Sequence, residues 1–259
     1  MKIQFSKYQG TGNDFILIDN RSKKIILSAE QIKSLCHRRF GIGADGLMLL
    51  EPETGFDFKM VYYNSDGNQS SMCGNGGRCI SAFAKRLGLV GDKANFLAID
   101  GPHESIFFDN SVKLRMNDVN GIEKIGNDFY LNTGSPHYVR IVSDLDSFNV
   151  VEEGKKIRYN ERFKEKGTNV NFIEKKGNKL HVRTYERGVE DETYSCGTGV
   201  TASALISSVV NMFGIKDHCD IITSGGNLSV SFKKVSDQAY TDIWLEGPAE
   251  FVFEGSIEV

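Results

Sequence analysis

The tetrad Cys-Gly-x-Gly occurs twice in this chain, at Cys73 and at Cys196, about half a chain length apart. Each copy opens onto a run rich in Ala, Ser, Ile and Val. A run with so little charge predicts a helix buried on nearly every side, the first ending near Gly88 and the second near Gly214. Such a helix has to be covered all round, and two of them in matched contexts predict two matched lobes. The glycines let the backbone turn sharply and let another group approach it closely.

Further landmarks repeat in the same order. KYQGTGNDFILID from Lys7 resembles LNTGSPHYVRIVSD from Leu131, and RRFGIGADGLMLLE from Arg38 resembles ERFKEKGTNVNFIE from Glu161. NFLAIDGPHESIFF from Asn95 resembles DIITSGGNLSVSF from Asp220. A duplicated domain leaves this pattern, and two units are too few for a solenoid. Runs such as VKLRMN, NKLHVRTYE, AYTDIWLE and FVFEG alternate or stay apolar over strand lengths between Gly, Asn and Asp turns.

The prediction is therefore a mixed α/β (α+β) protein of two pseudo-symmetric domains from internal duplication, each a curved, mostly antiparallel sheet or barrel around a central buried helix. The N-terminal lobe, 1–118, carries Cys73, with a final strand near 250–259 packing with it. The C-terminal lobe, 119–249, carries Cys196, and the junction near Asn117 to Gly126 is a turn-rich stretch.

Composition narrows the partners. With 40% hydrophobic and 25% charged residues the chain is no disordered polymer, and Lys+Arg 31 against Asp+Glu 34 leaves no basic excess to hold nucleic acid. MKIQFSKYQG lacks the apolar core of a signal peptide and no apolar run is long enough for a membrane helix, so neither nucleic acid nor membrane is expected as a partner. Five cysteines, an odd number, read as free thiols of a cytoplasmic protein. No C-x-x-C pair exists, so no metal is expected, and Cys36, Cys79 and Cys219, which lack the helix-start glycines, read as structural. GIGADG, Gly41 to Gly46, matches the dinucleotide fingerprint in form, yet it follows the basic CHRRF and leads into the strand-like LMLLE. Neither a phosphate-binding G-x-x-x-x-G-K-[ST] loop nor a G-x-S-x-G nucleophile elbow occurs, so no cofactor is expected.

Placed at helix N-termini, Cys73 and Cys196 sit where N–H groups and the dipole favour negative charge, which lowers a thiol pKa from its usual value of about 8.5. If the two helix starts face one another, a sulfur lies on each wall of a cleft lined with inward N–H groups. Those donors suit a carboxylate and the charge that builds on it when its α-carbon loses a proton. One thiolate removes that proton and the opposite thiol returns one to the other face, inverting the stereocentre without a cofactor. A racemase or epimerase follows from the pairing.

GTGNDF (Gly10 to Phe15), GIGADG, YNSDG (Tyr63 to Gly67), CGNGGRC, GSPH (Gly134 to His137), YERG (Tyr185 to Gly188) and CGTG, taken in order, resemble the diaminopimelate epimerase family over essentially the whole chain. The resemblance implies a pyridoxal-phosphate-independent enzyme interconverting LL- and meso-diaminopimelate, on the route to lysine and peptidoglycan, with its site between two pseudo-symmetric domains. It implies Cys73 and Cys196 as the acid/base pair, and backbone donors to the reacting carboxylate at Gly74, Asn75, Gly197 and Thr198. Asn13 would help hold the reacting end. Asn64, Asn169 and Arg187 would hold the distal end, Arg187 through a forked pair to its carboxylate. Glu186 would lie near the substrate ammonium and, with His137, tune thiol ionisation. A homodimer is a further expectation from the family.

Plainer readings stand beside these. Asn64 in YNSDG is also a turn residue, Glu186-Arg187 a solvated pair, and His137 after Pro136 a surface turn. The chain departs from many family members with Ser135 in place of Asn and, from some, with Gly46 in place of Gln and one extra residue in GVEDETYS. The rival is a two-cysteine racemase of the proline or hydroxyproline type, which acts on a ring with one carboxylate. Glu186-Arg187 and the three Asn side chains favour a substrate with a second zwitterionic end.

Overall fold

The computed structural model describes residues 1–70, 72–214 and 217–259, so Ser71 of the SSMCGNGGRC block, Ile215 and Lys216 lie outside the description. The chain forms two compact units, Met1–Leu114 together with Gly247–Val259, and Arg115–Glu246. Four helices are described: α1 (Ala29–Cys36), α2 (Gly74–Arg86), α3 (Val150–Arg158) and α4 (Gly197–Val209).

In the first unit the strand Lys2–Gly10 lies between Glu250–Glu258 and Asn13–Asp19, antiparallel to both. Asn13–Asp19 then runs parallel to Gly46–Glu51, with α1 in the connection, and Gly46–Glu51 pairs antiparallel with Phe58–Asn64. A second parallel step, with α2 in its connection, joins Phe58–Asn64 to Lys93–Ala98, and antiparallel strands Gly101–Phe107 and Val112–Arg115 complete the sheet. Ile16, Ile18, Leu47 and Leu49 pack with Ile32 and Leu35 of α1 on one face. Because side chains alternate along a strand, Phe15, Leu17, Met48 and Leu50 point to the other face, where α2 lies. Burial on both faces accounts for the unbroken apolar runs FILI and LMLL.

The second unit repeats that order of pairings. Asp128–Asn132 pairs antiparallel with Pro136–Ile141, which is parallel to Asn169–Lys176 across α3. Asn169–Lys176 is antiparallel to Lys179–Glu186, which is parallel to His218–Thr223 across α4, and Gly226–Ser236 and Ala239–Gly247 follow antiparallel. Ala239–Gly247 finally pairs with Val119–Asn120, while Glu123–Ile125, a few residues on, pairs with Asp128–Asn132 at the opposite end of the sheet. So short a stretch of chain can reach both ends only if the sheet curls around α4. The fold is therefore mixed α/β and sheet-dominated, in two units of one repeated topology.

Both buried helices begin where the sequence predicts, with Cys73 and Cys196 at their N-caps. α2 stops at Arg86, and Gly88 takes the left-handed φ of +71° that commonly follows a helix end. The expected stop of the second helix at Gly214 is corrected: α4 ends at Val209, where Asn211 takes φ +51° and its N–H reaches Ser208 O. Among the described residues no helix is long and apolar enough to cross a membrane.

Candidate active site

In the first unit the strand pair Lys2–Gly10 and Asn13–Asp19 is joined by a two-residue turn, Thr11 at φ +51° and Gly12 at φ +83°, the twist such hairpins prefer. That turn sets Asn13 beside the start of α2. Asn13 Oδ1 lies 4.0 Å from Cys73 Sγ and accepts from Asn75 Nδ2 at 3.3 Å, while Asn13 Nδ2 donates to Asp45 at 2.6 Å. Cys73 Sγ accepts the Gly76 N–H at 3.2 Å, so the sulfur itself caps the helix. A side chain at position 76 would collide with Met48 and stand 3.1 Å from that sulfur. Glycine is required there for the close approach.

Two charged features surround this helix start that the sequence reading missed. Asp14 is held by Lys7 at 2.6 Å and Arg38 at 2.7 Å, and Arg38 also reaches Asp45 at 2.7 Å. Burial alone would raise the Asp14 carboxyl, yet the hydrogen bonds and charges of Arg38 and Lys7 outweigh it and hold the group down to about 2. Arg78 is fully buried and donates to Gly74 O, Asn75 Oδ1, Thr11 Oγ1 and Pro248 O. Burial pushes its pKa down to about 10, and the neighbouring Cys79 and Cys73 pull it back up. The signals were present as RRFGIGADG and CGNGGRC, charges placed beside clustered glycines.

Asn64 ends the strand Phe58–Asn64 opposite Gly46, half-buried, with its N–H on Asn68 O at 3.0 Å. Its carbonyl accepts the Gly67 N–H at 3.0 Å, so this last strand residue also opens the turn that follows. At Gly46 a side chain would run into the Tyr62 ring at 2.5 Å and Tyr63 O at 2.7 Å, so the ring fills the space a side chain would need.

The second unit builds a denser cluster. Cys196 is the N-cap residue of α4, and its Sγ lies 3.5 Å from Thr198 Oγ1 rather than on a backbone N–H of the first turn. Thr198 is held by Thr133 Oγ1, which donates to its carbonyl at 2.9 Å, and its hydroxyl lies 2.9 Å from His137 Nε2 and 3.1 Å from Ser135 Oγ. His137 is wholly buried, which removes the surface-turn reading, and burial together with the Arg187 charge pushes the imidazole down to about 3. It is neutral at ordinary pH. Asn169 donates to Ser135 Oγ and Pro136 O and accepts the Arg187 N–H at 2.9 Å. Arg187 is exposed, with Nη1 on Lys166 O at 3.0 Å, and half-buried Glu186 accepts from Thr193 Oγ1 at 2.8 Å.

Gly74, Asn75, Gly197 and Thr198 form the first turns of α2 and α4, where helix geometry directs N–H groups outward along the axis. The structure thus gathers Asn13, Cys73, Gly74 and Asn75 in the first unit, and His137, Asn169, Arg187, Cys196, Gly197 and Thr198 in the second. Asn171 and Thr184 were not read as site residues, and Ser135 was read only as a departure from the family; the NVN alternation at 169–171, two Asn on the same face of a buried strand, was the available signal.

Comparison with known proteins sharpens this. The sequence profile of the family described as diaminopimelate epimerase matches residues 5–120 and 129–252. A diaminopimelate epimerase of Flavobacterium psychrophilum is 50% identical over 254 residues, covering 97% of this chain and 98% of the relative. One from Chlorobaculum tepidum is 43% identical over 257 residues, covering 96% and 98%. Among solved structures, a Bacillus anthracis phenazine biosynthesis protein of the PhzF family aligns over 100% of both chains with TM-score 0.77 at 15% identity. A hydroxyproline epimerase from Agrobacterium vitis aligns over 99% of this chain and 92% of its own with TM-score 0.71 at 13% identity. At such identities the structures share the fold alone.

Proposed function

The chain belongs to the diaminopimelate epimerase family, and from that premise we propose that Cys73 and Cys196 are its acid/base pair, inverting one α-carbon of diaminopimelate between the LL and meso forms. The enzyme is an isomerase acting on a small amino acid. The observation that carries the assignment is the repeated placement of a cysteine at the N-cap of the one buried helix in each of two units of the same topology.

In the proposed cycle the thiolate of one cysteine takes the α-proton, the electron pair passes onto the substrate carboxylate, and the other cysteine's S–H returns a proton to the opposite face. Negative charge starts on one sulfur and ends on the other, so the reverse reaction uses the same groups with roles exchanged. The first-turn N–H groups of Gly74, Asn75, Gly197 and Thr198 receive the carboxylate as its charge grows. Asn13 orients the reacting end, and Asn64, Asn169, Glu186 and Arg187 hold the distal zwitterion. No step calls for a cofactor. All five cysteines are free thiols, which suits a cytoplasmic setting, and a homodimer is proposed from the family resemblance.

The test is solvent deuterium incorporation at the α-carbon of diaminopimelate, with proline and hydroxyproline in parallel. Wild type is expected to exchange diaminopimelate only, and Cys73→Ser and Cys196→Ser to lose epimerisation by orders of magnitude while keeping their circular dichroism. Near-normal turnover in either variant, or exchange on proline instead, overturns the assignment.

A further inference from the structure

The hydrogen bonds behind α4 fix a proton position that the distances alone leave open. Asn171 is fully buried on the strand Asn169–Lys176, on the face toward α4. Its Nδ2 lies 3.0 Å from Tyr138 O and 3.0 Å from His137 Nδ1, and its Oδ1 accepts from Thr184 Oγ1 at 2.9 Å. A backbone carbonyl can only accept, so the atom facing Tyr138 O is the amide nitrogen. The same NH2 group therefore donates to His137 Nδ1, which is bare. A neutral imidazole carries one proton, and here it is on Nε2.

We infer that Asn171 is a positioning residue that locks His137 as the Nε2–H tautomer. That N–H, its nitrogen 2.9 Å from both Thr198 Oγ1 and Ser135 Oγ, is shared between them, and with Ser135 Oγ also accepting from Asn169 Nδ2 the Thr198 hydroxyl hydrogen turns onto Cys196 Sγ. Cys196 then receives a donor relayed through Thr198, His137 and Asn171. The inference deepens the proposed function and rests on the reading of Cys196 as an acid/base group. Charged groups at this end of the unit are Glu186, held by Thr193, and Arg187, which lowers the His137 pKa.

The register-equivalent positions of the first unit do not repeat this relay. By strand register Phe15 occupies the place of His137 and Met48 that of Asn171, and Met48 crowds Gly76 as Asn171 crowds Gly199. Cys73 is supported instead by the Gly76 N–H and by the charge of Arg78. The two sulfurs thus gain their stabilisation by different means, one from the backbone and a fixed cation, the other from a side-chain relay.

The test needs no turnover, so it stands or falls apart from the epimerase assignment. In histidine-labelled protein, two-bond 15N–1H spectra, with His137 identified by its loss in His137→Gln, should show a protonated Nε2 and a bare Nδ1 at pH 7. Asn171→Asp places a carboxylate against Nδ1 and should bring a proton onto it. Thr198→Val should raise the pH inflection for iodoacetamide alkylation of Cys196, read by peptide mass spectrometry, slowing it about tenfold at pH 7 for a one-unit rise. Cys73 alkylation should keep its profile. A protonated Nδ1 in wild type, an unchanged Nδ1 in Asn171→Asp, or an unmoved Cys196 inflection in Thr198→Val each overturns the inference.

Discussion

Burial keeps three of the five thiols out of the chemistry: it pushes Cys36 up to about 12, Cys219 to about 11 and Cys79 higher still, so each stays S–H at any working pH. Cys36→Ser is therefore expected to leave turnover within about twofold, at a stability cost of about 1–2 kcal/mol for a hydroxyl in an apolar site, read from a steady-state assay and a urea titration. His137 carries a pH signature. Neutral in the fold down to about 3 but able to take a proton near 6.5 once unfolded, it lets the unfolded state bind more protons between those values. Stability should thus fall as the solution is acidified from pH 6.5, by up to about 1.4 kcal/mol per unit. Urea midpoints from pH 7 to pH 4 check this, and His137→Gln should flatten the slope. Sequence displayed the cysteine caps because glycines flank them; it could not display His137's burial, which depends on Thr198 arriving from a distant helix, nor that the glycine turn at 10–12 brings Thr11 to Arg78.

At the level of elements, two glycines let α2 and α4 press onto their sheets. A methyl at Gly199 would collide with Asn171 and come within 3.3 Å of His137 Cε1. Gly199→Ala should therefore destabilise by about 1–3 kcal/mol through overpacking, more than the roughly 1 kcal/mol that alanine gains in helix propensity, and it should lower turnover as well. Gly91, with open space around its would-be Cβ, is the control: Gly91→Ala should stay within about 0.5 kcal/mol. Thermal denaturation of both variants decides. The helix starts and the doubly buried strands were legible from glycines and continuous apolar runs. The end of α4 was not, because Asn211 adopts the left-handed turn several residues before the more conspicuous Gly214.

For the whole molecule, the repeated order of landmarks in the sequence corresponds to the repeated order of strand pairings, since a strand–helix–strand step needs the same turn and apolar signals wherever it occurs. The sequence reading also expects the last strand, near 250–259, to pack with the first lobe. Glu250–Glu258 borders Lys2–Gly10 along nearly its whole length. Removing residues 250–259 should bare the amides of Lys2–Gly10 that face it, raising their hydrogen exchange by orders of magnitude while the amides of Asn169–Lys176 keep their protection. Equal loss in both strands would show that the units do not open separately. The first unit is also interrupted: Arg115–Glu246 lies between its two pieces in the chain. On the ribosome the inserted unit has all of its strands available before residues 250–258 exist, so Lys2–Gly10 has to wait with an unfilled sheet edge until that whole unit has been made.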